Sequence, residues 1–133
     1  MPRHKSQSST SSGPSQRQLR VGEVVRHALV EVLARGELRD PALADASITV
    51  TEVKISPDLK AATAFVMPLG GRDEASVVAA LDRCAPYLRG QIGRIAGLRF
   101  APTLRFAPDR SFERAQRVEQ LLDRLKDDSH GSS

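Results

Sequence analysis

The sequence predicts an α+β fold in which a small three-stranded sheet is covered on one side by helices. Three observations predict it: helical apolar spacing near the start, a β-branched stretch that turns back on itself, and a proline within a later helical stretch. With 133 residues, 40% of them hydrophobic and 27% charged, the chain has the composition of one globular domain.

The predicted elements follow from local signals in chain order. Apolar residues recur at helical spacing in the first element, and Gly36 is suited to end it. Alternating β-branched residues and the Ser56-Pro57-Asp58 turn indicate a hairpin. The expected elements are a helix over 18–35, a loop over 37–47, strands over 48–55 and 60–69, two helices within 73–97, a strand over 104–106, and a helix over 112–125.

A break is predicted inside the long helical stretch 73–97. Asp73 is suited to cap its start, and Gly97 is suited to end it. Pro86 cannot continue the hydrogen-bond ladder of a preceding helix, but it fits the first turn of a new one. We therefore expect two helices that meet at an angle near Ala85 and Pro86.

The final strand is predicted to lie at an edge of the sheet. Leu104 and Phe106 are flanked by Pro102 and Pro108, and proline is tolerated mainly on edge strands. The resulting α-β-β-α-α-β order, with two helices at a tight junction, is that of a KH-like (type II) RNA-binding domain. A C-terminal amphipathic helix follows it.

Four segments are expected: a disordered, basic, serine-rich tail over 1–16, a KH-like domain over 17–110, an amphipathic helix over 111–126, and a disordered tail over 127–133. No segment has the features of a signal peptide or a membrane span, and the single cysteine, Cys84, excludes an internal disulfide. We expect a cytoplasmic protein.

Charge is segregated along the chain. Residues 1–20 carry four basic residues and no acid, whereas the remainder is balanced. Between Asp82 and Asp109 lie five arginines and no carboxylate: Arg83, Arg89, Arg94, Arg99 and Arg105. This pattern favours a positive surface for a polyanion. The alternative is a solvated face whose ionic partners come from elsewhere in the fold.

No catalytic site is predicted. The histidines lie in the tails or the first helix, and Cys84 is expected to be a buried thiol rather than an activated one. No metal site, cofactor site or small-molecule substrate site is indicated. The tetrapeptide 90–93 matches the GxxG pattern of KH domains, but it lies after Pro86, where we expect its glycines to permit close helix packing instead.

Aromatic residues are too few to predict a stacking surface for single strands. Three of the four phenylalanines lie in or beside strands, where core packing is expected. Tyr87, at the helix junction, is the only aromatic residue for which we weigh a contact role equally against packing. Contacts between arginines and phosphates of folded RNA fit the composition better.

Long stretches of the chain, from about Gln16 to Arg110, resemble the bacterial ribosome-binding factor A family. The matching segments are QRQLRVGEVVRHALVEVLARGELRDP, ITVTEVKISPDLKAATAFV and LRFAPTLRFAPD. The resemblance implies a KH-like fold without enzymatic activity that binds the free 30S subunit. It also implies a role in late maturation and 16S rRNA 5′-end processing, and in cold adaptation. Family members have an Ala-x-Gly kink between the two helices; the matching positions here are Ala85, Pro86 and Tyr87.

The resemblance further implies that the partners are the small ribosomal subunit and 16S rRNA, including its precursor, and we expect the protein to be a monomer. The predicted RNA-binding residues are Arg17, Arg20, Arg26, Arg83, Arg89, Arg94, Arg99 and Arg105. Two alternatives stay open. One is a generic KH-like RNA-binding protein, and the other is an adaptor that docks a protein partner on its C-terminal helix.

Overall fold

The computed structural model describes residues 13–44, 46–69 and 73–131. Its elements are α1 (Gln16–Ala34), a short 3₁₀ helix (Pro41–Leu43), β1 (Ser47–Ile55), β2 (Ala61–Leu69), α2 (Glu74–Arg83), α3 (Ala85–Ala96), β3 (Thr103–Pro108) and α4 (Ser111–Gly131). The predicted element order is confirmed, and the loop expected over 37–47 also contains the 3₁₀ helix.

The three strands form one mixed sheet in the order β1-β2-β3. β1 and β2 are an antiparallel hairpin with a bulge between Val50 and Glu52, whereas β2 and β3 are parallel. The parallel pairing requires a crossover, which α2 and α3 supply. β3 therefore lies at an edge of the sheet, as its flanking prolines predict.

The core lies between one face of the sheet and the helices α1, α2 and α3. Alternate strand residues point into it, and among the described side chains the buried ones are all apolar. The largest fully buried side chains are Leu29, Leu81, Leu88 and Ile92. Three helices cover this face, and within the described residues no helix packs on the other face of the sheet, which we call the open face.

Side chains also satisfy backbone groups at the ends and edges of the sheet. The Gln18 Nε2 donates to the carbonyl oxygen of Ile55 at 2.9 Å, which joins the start of α1 to the end of β1. At the opposite edge, the Phe106 N–H of β3 donates to Asp82 Oδ1 of α2 at 3.0 Å. This bond occupies an edge donor that could otherwise pair with another strand.

Helix α1 begins earlier, and helix α4 ends later, than the sequence predicts. Helix α1 begins at Gln16 because Ser15 forms a capping box with Gln18, so the cap and the first helical residue lie within the tail predicted over 1–16. The first twelve residues lie outside the described part. Helix α4 runs on to Gly131, beyond the predicted end at 126, because no glycine or proline interrupts it earlier.

The break between α2 and α3 is confirmed, but it lies at Cys84, one residue earlier than expected. The Cys84 N–H donates to Ala80, and its carbonyl accepts from Leu88, so this residue ends one helix and begins the next. Pro86 has no N–H for the carbonyl of Asp82 and would clash with it, which places the break between these two residues. Ala85, Pro86 and Tyr87 form the first turn of α3: Ala85–Ala96.

The GxxG tetrapeptide lies within α3, as expected, but its glycines do not permit close packing. A Cβ atom added to Gly90 would meet nothing within 4 Å, and one added to Gly93 would lie at an ordinary 3.6 Å from Ala101. The prediction that these glycines allow close helix packing was wrong.

Candidate nucleic-acid interface

The predicted RNA-binding arginines occupy different environments in the fold. Arg26 and Arg83 form ion pairs with carboxylates, and Arg89 binds a backbone carbonyl. The others are exposed and have no ion pair with a described residue: Arg17, Arg20, Arg94, Arg99 and Arg105. The eight arginines therefore differ in how free their guanidinium groups are to bind a partner.

Arg83 is bound to Asp40, 43 residues earlier in the chain. Its Nε and Nη2 donate to the two carboxylate oxygens at 2.9 and 3.1 Å. The Asp40 carboxylate also accepts the N–H of Ala42, and these bonds lower the pKa of Asp40, the Arg83 bond most of all. For Arg83, the partner comes from elsewhere in the fold, which is the alternative that the sequence left open.

A second bond of the same kind involves Tyr87, which is 45% exposed. Its hydroxyl lies 3.1 Å from Glu37 Oε1, and this hydrogen bond raises the pKa of Tyr87. Glu37 and Asp40 both lie in the loop after α1, so that loop holds both sides of the break at Cys84. Tyr87 thus has a structural role at the junction.

Cys84 packs against the core as a partly buried thiol, so it is less buried than the sequence predicts. Burial raises the pKa of this thiol, and the nearby Asp40 raises it further. A raised pKa leaves little reactive thiolate at neutral pH. The arginine next to it does not activate it.

Arg89 and Arg94 lie on different sides of α3. Five residues of helix separate them by about 140° around the axis. The Arg89 Nε donates to the carbonyl of Ala101 at 3.0 Å, which fixes the segment between α3 and β3. Arg94 is exposed on the other side, in the last turn of the helix.

Arg17 and Arg99, far apart in sequence, line one cleft of about 400 Å³. Lys60, which ends the hairpin turn, and Phe100 line the same cleft. We call these four residues the basic cleft. Three cations face one carboxylate, Asp58, whose charge is engaged by the hydroxyl of Ser56 and the N–H of Lys60. The cleft therefore carries a net positive charge suited to phosphate.

The sequence did not identify two members of the basic cleft. Lys60 was predicted to begin the second strand of the hairpin, and the segment that contains it was used only for the hairpin and for the family resemblance. In the structure the strand begins one residue later, so Lys60 ends the turn. Phe100 was assigned to core packing beside a strand, yet it is 82% exposed. In the sequence, Phe100 comes before Pro102 and therefore lies outside the predicted strand. This position is the signal that could have corrected the prediction.

Arg20 and Arg105 lie outside the basic cleft. Arg20, one turn after Arg17, lines a groove between α1 and α3 with Ile95 and Ala96. Arg105 lies between the buried residues of β3, so it points to the open face of the sheet. Its register neighbour there is Thr63, which pairs in turn with Lys54, so Arg105 and Lys54 lie on the same face, which Glu52 of β1 also shares.

The described residues show neither a metal centre nor a membrane span. No group of three or more His, Cys, Asp or Glu among them is placed to hold a metal ion. Across the same residues, no helix is both long and apolar enough to cross a bilayer.

Comparison with known proteins gives consistent matches. The family model described as ribosome-binding factor A matches residues 17–122, which run from α1 into α4. Ribosome-binding factor A of Methylorubrum extorquens (strain PA1) is 57% identical over 116 residues, 87% of this chain and 80% of that protein. The crystal structure of ribosome-binding factor A from Thermus thermophilus shares 28% identity with a TM-score of 0.59, covering 71% of this chain and 98% of that one.

A second similar structure comes from a ribosomal complex. It is a homology model of the Thermus thermophilus ribosome-binding factor A, fitted into a cryo-EM map of that factor with the 30S subunit. It shares 30% identity and a TM-score of 0.53, covering 65% of this chain and 89% of that chain.

Proposed function

This chain belongs to the ribosome-binding factor A family, and from that premise we propose that it binds the free 30S ribosomal subunit through 16S rRNA. The observation that supports this proposal most is the family match over residues 17–122, which includes the whole α-β-β-α-α-β domain. The similarity to a relative fitted into a 30S complex supports the choice of subunit.

The proposed contacts are made by exposed cations to rRNA phosphates. Arginine suits this role because its planar guanidinium donates two hydrogen bonds to one phosphate, and lysine adds a mobile point charge. The residues proposed are Arg17, Arg20, Lys60, Arg94 and Arg99 on the helical side, with Arg105 as a separate contact on the open sheet face. Arg26 and Arg83 retain their internal ion pairs, and Arg89 acts by holding the segment before β3.

We further propose that binding alone accounts for the activity, without catalysis. The protein would hold immature rRNA in a conformation that is competent for 5′-end processing of 16S rRNA and incompatible with premature translation. Such a factor would act as a monomer in the cytoplasm during late maturation, and cells would depend on it most in the cold. The raised pKa of Cys84 supports a non-catalytic role for this thiol.

A second candidate function is supported by helix α4. Its apolar residues are each at least half exposed: Phe112, Val118, Leu121, Leu122 and Leu125. A protein-interaction adaptor would dock a partner on this stripe, and its binding would depend little on salt. A generic RNA-binding protein, by contrast, would bind free RNA as well as it binds the subunit.

Co-sedimentation with purified 30S subunits, large subunits and assembled ribosomes, each at low and moderate salt, tests the proposal. We expect selective binding to free 30S subunits that weakens steeply as salt rises, because phosphate contacts release counterions. Equal binding to all particles would reduce the function to general RNA binding. Binding that is selective but independent of salt would support the adaptor.

A further inference from the structure

We propose that Phe100 is a stacking platform for one unpaired base of the rRNA, while Arg17, Lys60 and Arg99 hold the adjoining phosphates. This inference rests on the proposed function, because it names the RNA feature that the basic cleft recognises. It concerns a nucleotide in a single-stranded region, since bases within a duplex are already stacked on their neighbours.

Phe100 is exposed to an unusual degree for a phenylalanine. Its 82% exposure exceeds that of the other large exposed hydrophobic residues among the described part, including Phe112 at 66%. Covering an apolar ring with a partner removes its surface from water, and this burial favours binding. A nucleic-acid base is a suitable partner because every base has a flat π-face.

The segment that presents Phe100 is held on both sides. Before it, Gly97 adopts a left-handed conformation (φ 67°), and the Leu98 N–H donates to Gly93 at 3.0 Å. After it, the Ala101 carbonyl accepts from Arg89 at 3.0 Å, and Pro102 is buried. A ring on a segment held in this way loses little conformational entropy when it binds a base.

The surroundings of the ring favour a nucleotide over an apolar peptide side chain. The Arg99 guanidinium lies over the ring, 5.5 Å from its centroid, and the high exposure leaves the opposite face free. Arg17 and Lys60 line the same cleft, so two further cations are available to the phosphates that adjoin a stacked base. An apolar side chain would use the ring but leave these charges without a partner.

Tryptophan fluorescence tests the stacking directly, because the chain contains no tryptophan. Phe100→Trp places a single reporter in the cleft, and Phe112→Trp places a matched one at an exposed site on α4. Both are titrated with single-stranded poly-uridine and with a poly-uridine–polyadenosine duplex, while fluorescence anisotropy of labelled RNA measures binding independently. We expect single-stranded RNA to quench the fluorescence of Phe100→Trp but not that of Phe112→Trp, and the duplex to quench neither.

Binding measurements with further variants at Phe100 and Phe112 complete the test. Phe100→Ala is expected to weaken binding to poly-uridine and to 30S subunits about tenfold, Phe100→Tyr to restore it, and Phe112→Ala to leave it unchanged. If the unmodified protein binds 30S subunits and Phe100→Ala binds equally well without quenching in Phe100→Trp, stacking is overturned and the proposed function stands. If the unmodified protein binds single-stranded RNA with quenching but no 30S subunits, stacking stands and the proposed function fails.

Discussion

Gly22 of α1 lies directly against the backbone of Val53 in β1. A Cβ atom at Gly22 would be 2.6 Å from the Val53 carbonyl oxygen, closer than real Cβ atoms approach an oxygen. Gly22 is helical, so it is needed here for the space it leaves and not for its backbone freedom. This contact sets how closely the first helix packs on the sheet.

Gly22→Ala is therefore expected to destabilise the protein by about 1–3 kcal/mol, because strand or helix must move to admit the methyl group. Urea unfolding measures the change. Gly90→Ala is the matched control: it is also in a helix interior but faces open space, so we expect a gain of about 0.5–1 kcal/mol from helix propensity. Equal gains in both variants would show that α1 is free to shift.

The Arg83–Asp40 pair predicts a loss of stability in acid. The pKa of Asp40 is lower in the folded than in the unfolded chain, so the pair stabilises the fold above about pH 4 and the benefit disappears as pH falls through the folded pKa. Urea unfolding between about pH 6 and pH 2 should show Asp40→Asn less stable than the unmodified protein at the upper end, with the difference shrinking toward the lower.

The control for this prediction is Arg83→Gln, alone and with Asp40→Asn. If the two side chains act on each other, their separate effects near neutral pH will not add in the double variant. Asp58 and Asp109 also have lowered pKa values, but they are present in every variant and cancel in the comparison. A constant difference across the pH range would contradict the prediction, because it would show that ionisation of Asp40 does not stabilise the fold.

Charge-reversal variants separate the contribution of the basic cleft from that of Arg105 on the open face of the sheet. Arg17→Glu with Arg99→Glu should weaken binding to 30S subunits strongly and reduce the slope of log affinity against log salt by about one for each phosphate that is no longer bound. Arg105→Glu, on the open sheet face, should have a smaller effect. Co-sedimentation over a salt series measures both effects. A larger effect of Arg105→Glu would show that the main interface is the open face of the sheet.

A shortened chain that ends at Arg114 tests the role of α4. Every described side chain from 111 to 126 is exposed, so we expect the free energy of unfolding to change by no more than about 0.5 kcal/mol. The variant retains Arg110, whose ion pair with Glu74 at 3.0 Å joins the start of α4 to α2. Binding to 30S subunits should persist; a loss of binding by a variant that unfolds like the unmodified protein would favour the adaptor function.

The order of the elements and several of their ends were predictable because they depend on neighbours in sequence. Asp73 caps α2 through the N–H of Ala75, Gly97 ends α3 in a left-handed conformation, and the Leu59 N–H donates to Ser56 across the predicted turn. In each case the residue type determines the local hydrogen bonding. The break near Pro86 was predicted for the same reason, with an error of one residue.

The sequence by itself thus determined the α-β-β-α-α-β order, the edge position of β3 and an excess of arginine without nearby acids. Only the tertiary structure decided which of those arginines are available. Asp40 binds Arg83 from 43 positions away, whereas Arg17, Lys60 and Arg99 meet at a cleft around Phe100. Ion pairs and exposure depend on which distant segments approach each other, and periodicity along the chain does not contain that information.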